Sequence, residues 1–214
     1  MALIKQALHY FELGPIRPPS EAYSLLIRVT RNCPWNRCKF CPLYKGQKFQ
    51  LRPVAEIKQD ILAIKDIQDK IKEISWKAGY GNNLKDVVAM VLNNQLNQAA
   101  HNVALWIYAG GENVFLQDAN TLIMRTNELV EVLTFLKETL PSIKRITSYG
   151  RSKTAAKKKL EELIALHEAG LSRLHIGLES GYDPLLQFME KGVTAAEHII
   201  GGRKVVESGI SLCE

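Results

Sequence analysis

Three of the chain's four cysteines stand within nine residues, Cys33-Pro-Trp-Asn-Arg-Cys38-Lys-Phe-Cys41, while Cys213 is alone. Spacings this short let several sulfurs converge on one point without distant chain folding back. A metal or cluster site is the chemistry such thiols suit best in a reducing compartment, rather than a disulfide framework. A closed structural zinc site takes four ligands. The five histidines are at 9, 101, 167, 175 and 198, so none sits beside the cluster. Three thiolates with one coordination position open fit an iron–sulfur cluster that has one iron free. Zinc completed by a distant residue, or three unligated thiols, are the alternatives.

The elements that must position this loop follow from periodicity. Ser24–Thr30 is a short β-rich run that feeds directly into the cysteines. After Pro53, the residues Val54, Ile57, Ile61, Ile64, Ile67, Ile71 and Ile74 recur at helical steps and predict a long amphipathic helix. Gly79–Asn83 breaks it, and a second helix is expected from about Leu84 to Tyr108, carrying Val87, Val91, Ala99, Val103, Trp106 and Ile107 and closed by Gly110-Gly111. Strands follow at 114–117, 144–148, 173–178 and from Ile210. Between them the pattern predicts a helix of about 127–140 capped by Thr126, a helix capped by Thr154 and stopped by Gly170, a short helix 183–190, and a helix opened by the Thr194-x-x-Glu197 capping box. Alternation with connections of this length means a parallel sheet with helices outside, whose chemistry gathers at the C-terminal strand ends. The cysteine loop lies at that end of the first strand. The count is four full strands and the start of a fifth, an open edge that suggests a fragment.

The 214 residues are 46% hydrophobic and 23% charged, an ordinary globular composition that excludes disorder. No apolar run approaches a membrane span, and Met1–Tyr10 lacks the pattern of a secretory signal, so the expected location is the cytoplasm. The net charge of +6 is modest and spread out. Lys157–Lys159, followed by Glu161 and Glu162, reads as a solvated helix face, and a nucleic-acid partner is not supported.

A cysteine loop after the first strand of a parallel α/β sheet, with Phe40 just before the last cysteine, resembles the radical S-adenosylmethionine (SAM) superfamily, from about Tyr23 to the end. The family's commonest spacing is C-x3-C-x2-C, and this loop has one residue more in its first gap. The basic residues Lys45, Lys48 and Arg52 follow in the family's order. The resemblance implies an α/β, partial parallel (β/α)6 TIM-like barrel, incomplete at the C-terminus, over 23–214. Residues 1–22 are then an N-terminal extension and 53–109 a helical pair inserted after the first strand. It implies that Cys33, Cys38 and Cys41 hold a 4Fe–4S cluster, that SAM binds the free iron, and that a low-potential ferredoxin or flavodoxin supplies electrons. Phe40 matches the aromatic that lies against the adenine. The literal Gly110-Gly111-Glu112 precedes its strand and reads as a helix C-cap, so the amino-group acceptors implied are Asp118 and Asn120. Glu179 is implied for the ribose hydroxyls with Ser180 as helper, Lys191 for the methionine carboxylate, and Arg151 for that carboxylate or the substrate. The adenine segment of the fifth strand begins at Ser211–Glu214. His175, inside a strand, reads as buried and hydrogen-bonded. The substrate is not implied. The rival readings are a non-catalytic zinc- or iron-binding module and an inactive fragment of a longer enzyme.

Overall fold

The computed structural model describes residues 10–93 and 98–214. The signal-peptide reading of the first nine residues lies outside them. Five strands form one parallel sheet in the order β1 (Leu25–Arg28), β4 (Asn113–Gln117), β5 (Arg145–Gly150), β6 (Leu171–Ile176) and β7 (Ser211–Cys213). Each strand joins its predecessor, as right-handed strand–helix–strand units require. A two-stranded antiparallel ribbon, β2 (Thr30–Arg31) with β3 (Gln50–Leu51), clasps the base of the cysteine loop.

Strand residues alternate between two faces. Leu25 and Ile27, Val114 and Leu116, Ile146, and Leu174 and Ile176 belong to the apolar core shared with the helices. On the other face Phe115, Tyr149 and His175 meet edge to face across three neighbouring strands. Helix α1 (Val54–Lys77) puts Ile57, Ile61, Ile64, Ile67 and Ile71 into the core, each worth about 1.5–3 kcal/mol relative to exposure.

The outward edge of β1 is occupied by side chains. Leu26 N–H donates to Asn102 Oδ1 at 2.9 Å, Asn102 Nδ2 donates to Ser24 O at 3.2 Å, and Arg52 Nη1 donates to Arg28 O at 2.6 Å. Asn102 comes from α3 (Gln98–Tyr108). Gly110 (φ 101°) and Gly111 (φ 70°) close that helix by accepting no Cβ strain, their N–H groups bonding Ile107 O and Trp106 O.

Several expected boundaries are corrected. The single helix from 84 to 108 is two, α2 (Leu84–Asn93) and α3; its junction and the Val91 side chain lie outside what is described. Thr126 does not cap α4 (Thr126–Thr139): Arg125 holds that position, because the Thr126 hydroxyl donates to Glu162 Oε1. The helix expected after Thr154 is split into α5 (Ser152–Lys157) and α6 (Leu160–Glu168). Lys158 and Lys159 are extended there, and Lys204 Nζ satisfies the Ala156 and Lys158 carbonyls. Lys158 is also no solvated face residue, since its ammonium reaches Thr126 Oγ1 and burial lowers its pKa. Strand β6 starts and ends two residues earlier than expected. The short helix α7 (Asp183–Phe188) stops at Phe188, and α8 (Ala195–Glu207) opens on the expected Thr194–Glu197 capping box. His175 is buried, but its Nε2 lies 3.7 Å from Glu21 Oε1 with no hydrogen bond made.

Candidate functional site

The loop after β1 is built on two asparagines in the left-handed region. Asn32 (φ 66°) donates its N–H to Asp118 Oδ2 and its amide to Lys48 O; Asn36 (φ 47°) donates its amide to the carbonyls of Tyr44 and Gln47 and its N–H to Cys33 Sγ at 3.4 Å. Asn tolerates this conformation better than other non-glycine residues. The loop therefore folds back on itself, with the Tyr44 ring buried beneath it.

The far side of the loop rests on the segment after α7. Trp35 Nε1 donates to Glu190 O at 2.7 Å, Lys39 N–H donates to Met189 O at 2.9 Å, and Lys39 Nζ pairs with Glu190 at 3.2 Å. This docking brings Phe40, Arg151, Glu179 and Lys191 to one place. Lys191 Nζ lies 3.0 Å from Glu179 Oε1 and 5.5 Å from the centre of the Phe40 ring. Arg151 Nη2 donates to Lys191 O at 2.6 Å. Burial raises the Cys38 thiol pKa, while the Lys191 and Arg151 charges pull it down and Cys33 and Cys41 push it up. Burial lowers the pKa of Arg151, against the pull of Cys33 and Cys38. Lys191 and Arg151 thus both act on the Cys38 thiol, and Arg151 also feels Cys33.

The two expected amino-group acceptors are both buried. Asp118 is fully buried: Oδ2 accepts Arg28 Nε at 2.8 Å and Nη2 at 2.7 Å. A Cβ on Gly14 would meet Asp118 Oδ1 at 2.4 Å, so the chain before β1 covers it. Oδ1 itself has no hydrogen-bond partner, nor has the Tyr44 phenol, whose pKa burial and the Asp118 charge raise. Asn120 is likewise buried, its amide bonding Thr154 Oγ1 and its Oδ1 accepting Arg151 N–H at 3.1 Å. The guanidinium of Arg28 claims Asp118 Oδ2, and the start of α5 claims Asn120. Asn120 instead fixes the backbone from which Arg151 projects. Ser180 accepts Tyr182 N–H at 3.0 Å and shapes the turn that holds Glu179 at φ 61°. Arg52, expected in a basic segment by the loop, is buried and paired with Asp60 at 2.6 Å.

Trp35 received no role from its position in the sequence. The available signals were an aromatic within the longer cysteine gap and a glycine directly after Lys191.

The donor set fits an iron–sulfur cluster in kind and number, three thiols from one loop beside two cations. Among the described residues no three His, Cys, Asp or Glu side chains stand at metal-ligand spacing.

A family model described as the Radical SAM superfamily matches residues 27–213. The fold is similar to that of the cobalamin-dependent S-adenosylmethionine radical enzyme OxsB, solved with aqua-cobalamin and S-adenosylmethionine bound, at 20% identity and TM-score 0.53 over 88% of this chain and 23% of that one. It is also similar to the radical S-adenosylmethionine methyltransferase TsrM from Kitasatospora setae, solved with cobalamin and a 4Fe–4S cluster bound, at 17% identity and TM-score 0.54 over 96% of this chain and 34% of that one. The chain thus spans 23% and 34% of these structures, and they bear on its fold. No curated protein matches it. No helix among the described residues is long and apolar enough to cross a membrane.

Proposed function

The chain belongs to the Radical SAM superfamily, and from that premise we propose that Cys33, Cys38 and Cys41 hold a 4Fe–4S cluster at which SAM is reductively cleaved. When bound, such a cluster supplies the single electron that breaks a carbon–sulfur bond of SAM and yields a 5′-deoxyadenosyl radical, with a low-potential ferredoxin or flavodoxin as donor. The observation that carries the reading is the convergence of Arg151, Glu179 and Lys191 on the cysteine loop.

The chain's own residues then have distinct tasks. Lys191 presents an ammonium to the methionine carboxylate, a charge-assisted contact. Arg151 adds a second positive charge and holds the Lys191 main chain. The Glu179 carboxylate has two oxygens with which to accept both ribose hydroxyls, and Ser180 fixes its turn. Phe40 offers an apolar face to the adenine.

Anaerobic iron and sulfide reconstitution, followed by electron paramagnetic resonance with and without SAM, tests the reading. A reduced 4Fe–4S signal that shifts on SAM addition, and disappears in Cys38→Ala, is the expected result. Retention of about one zinc with no acid-labile sulfide overturns it and assigns the loop to a structural metal.

A further inference from the structure

The gap Pro34-Trp35-Asn36-Arg37 turns through the left-handed Asn36 and throws Trp35 across to the opposite segment. There the indole takes the place of a side chain at Gly192. A Cβ on that residue would stand 2.2–2.7 Å from three atoms of the Trp35 six-membered ring, and Gly192 has φ 67°. The indole N–H is spent on Glu190 O. The guanidinium carbons of Arg37 and Arg151 each lie 5.1 Å from the ring centre, within the range for cation–π attraction. One of them, Arg151, also bonds Lys191 O.

Trp35 therefore touches the residue before Lys191, the residue after it, and the arginine that holds its carbonyl. We propose that Trp35 is a positioning residue: it makes the cysteine loop and the Glu190–Gly192 turn move as one body, so that Lys191 and Glu179 are set at a fixed place relative to the thiols. The role rests on the SAM-binding reading for its functional effect, since Trp35 acts through Lys191 rather than on the ligand. Its mechanical part, the tie between loop and turn, stands without SAM.

Gly192→Ala challenges the same contact from the other side, and a cavity of about 590 Å³ bordered by Trp35, Arg37, Lys153 and Thr194 gives the displaced ring somewhere to go. The variants Trp35→Ala, Trp35→Phe and Gly192→Ala should each keep the parent's circular dichroism.

Two measurements decide the matter. In hydrogen–deuterium exchange on the metal-free protein, Trp35→Ala and Gly192→Ala should each accelerate peptides covering 33–41 and 188–192 together; faster exchange of the loop alone overturns the tie. In the reconstituted protein, SAM affinity read from the resonance shift should fall about tenfold in Trp35→Ala, the equivalent of one good hydrogen bond, and less in Trp35→Phe, which keeps most of the ring. Gly192→Ala should weaken SAM similarly and lose part of that effect in the Trp35→Ala background, where the clash with the ring is gone and only the strain of a side chain at φ 67° remains. Fully multiplicative losses overturn the proposal. A parent with a cluster but no SAM response refutes the functional reading, and the exchange result still decides whether Trp35 ties the two segments.

Discussion

The Lys191 ammonium and the Glu179 carboxylate, twelve positions apart, are each other's partners at 3.0 Å. Both are proposed SAM contacts, so a ligand entering here meets a cation and an anion already neutralising one another. On the proposed reading, binding would exchange that pair for contacts to the methionine carboxylate and the ribose.

Lys191→Met should consequently change binding much more than folding. Glu179 is 36% exposed, and solvent screening limits such a pair to about 0–1 kcal/mol of stability. The melting midpoint should move by little, while SAM affinity falls about tenfold or more. Calorimetric titration of the reconstituted protein, beside a thermal melt, checks both. Equal affinity in variant and parent removes Lys191 from the site.

Stability depends far more on Arg52. Its side chain is almost wholly buried, pairs with Asp60, and approaches Glu12 and Glu56. Arg52→Ala leaves Asp60 buried without its cation, while Glu12 keeps Arg28 and Arg31; the change should cost about 3–5 kcal/mol. Asp60→Asn in the same background should restore part of it. Urea denaturation measures this, and a loss below about 1 kcal/mol contradicts the network's importance.

His175 predicts a pH dependence. Burial lowers its pKa from 6.5, and the neighbouring Glu21 carboxylate only partly offsets that effect. The unfolded chain then takes up a proton near pH 6.5 while the folded one resists, so stability falls as pH drops through 6.5 toward the folded value. His198, also lowered by burial, acts in the same direction. His175→Phe should flatten, without abolishing, the fall in stability as pH drops below 6.5. An unchanged slope in pH-dependent melts assigns the effect elsewhere.

Much of this architecture is legible in the residue pattern because its causes are local. The isoleucine stripe of α1, the paired glycines after α3 and the Thr194–Glu197 box each act within a few residues. Residue type also singles out Phe40, Glu179 and Lys191, which the fold brings together beside the cysteine loop and whose binding roles are proposed. Non-local contacts escape such reading. Asp118 and Asn120 occupy the expected strand end, but their burial depends on Arg28, Gly14 and Thr154. The Trp35–Glu190 bond spans 155 positions, beyond any periodicity. The split at Lys158–Lys159 likewise depends on Lys204 arriving from α8.

Asn102 and Arg52 give the sheet a direction of growth. Their side chains occupy backbone groups on the outward edge of β1 that an incoming strand needs, so two molecules cannot readily join through that edge. At the other margin, no strand among the described residues pairs with β7 beyond β6. Any strand that widens the sheet is admitted beside Ser211–Cys213, on the flank farthest from the cysteine-bearing β1. One amide and one guanidinium thus guard the β1 edge against chance pairing.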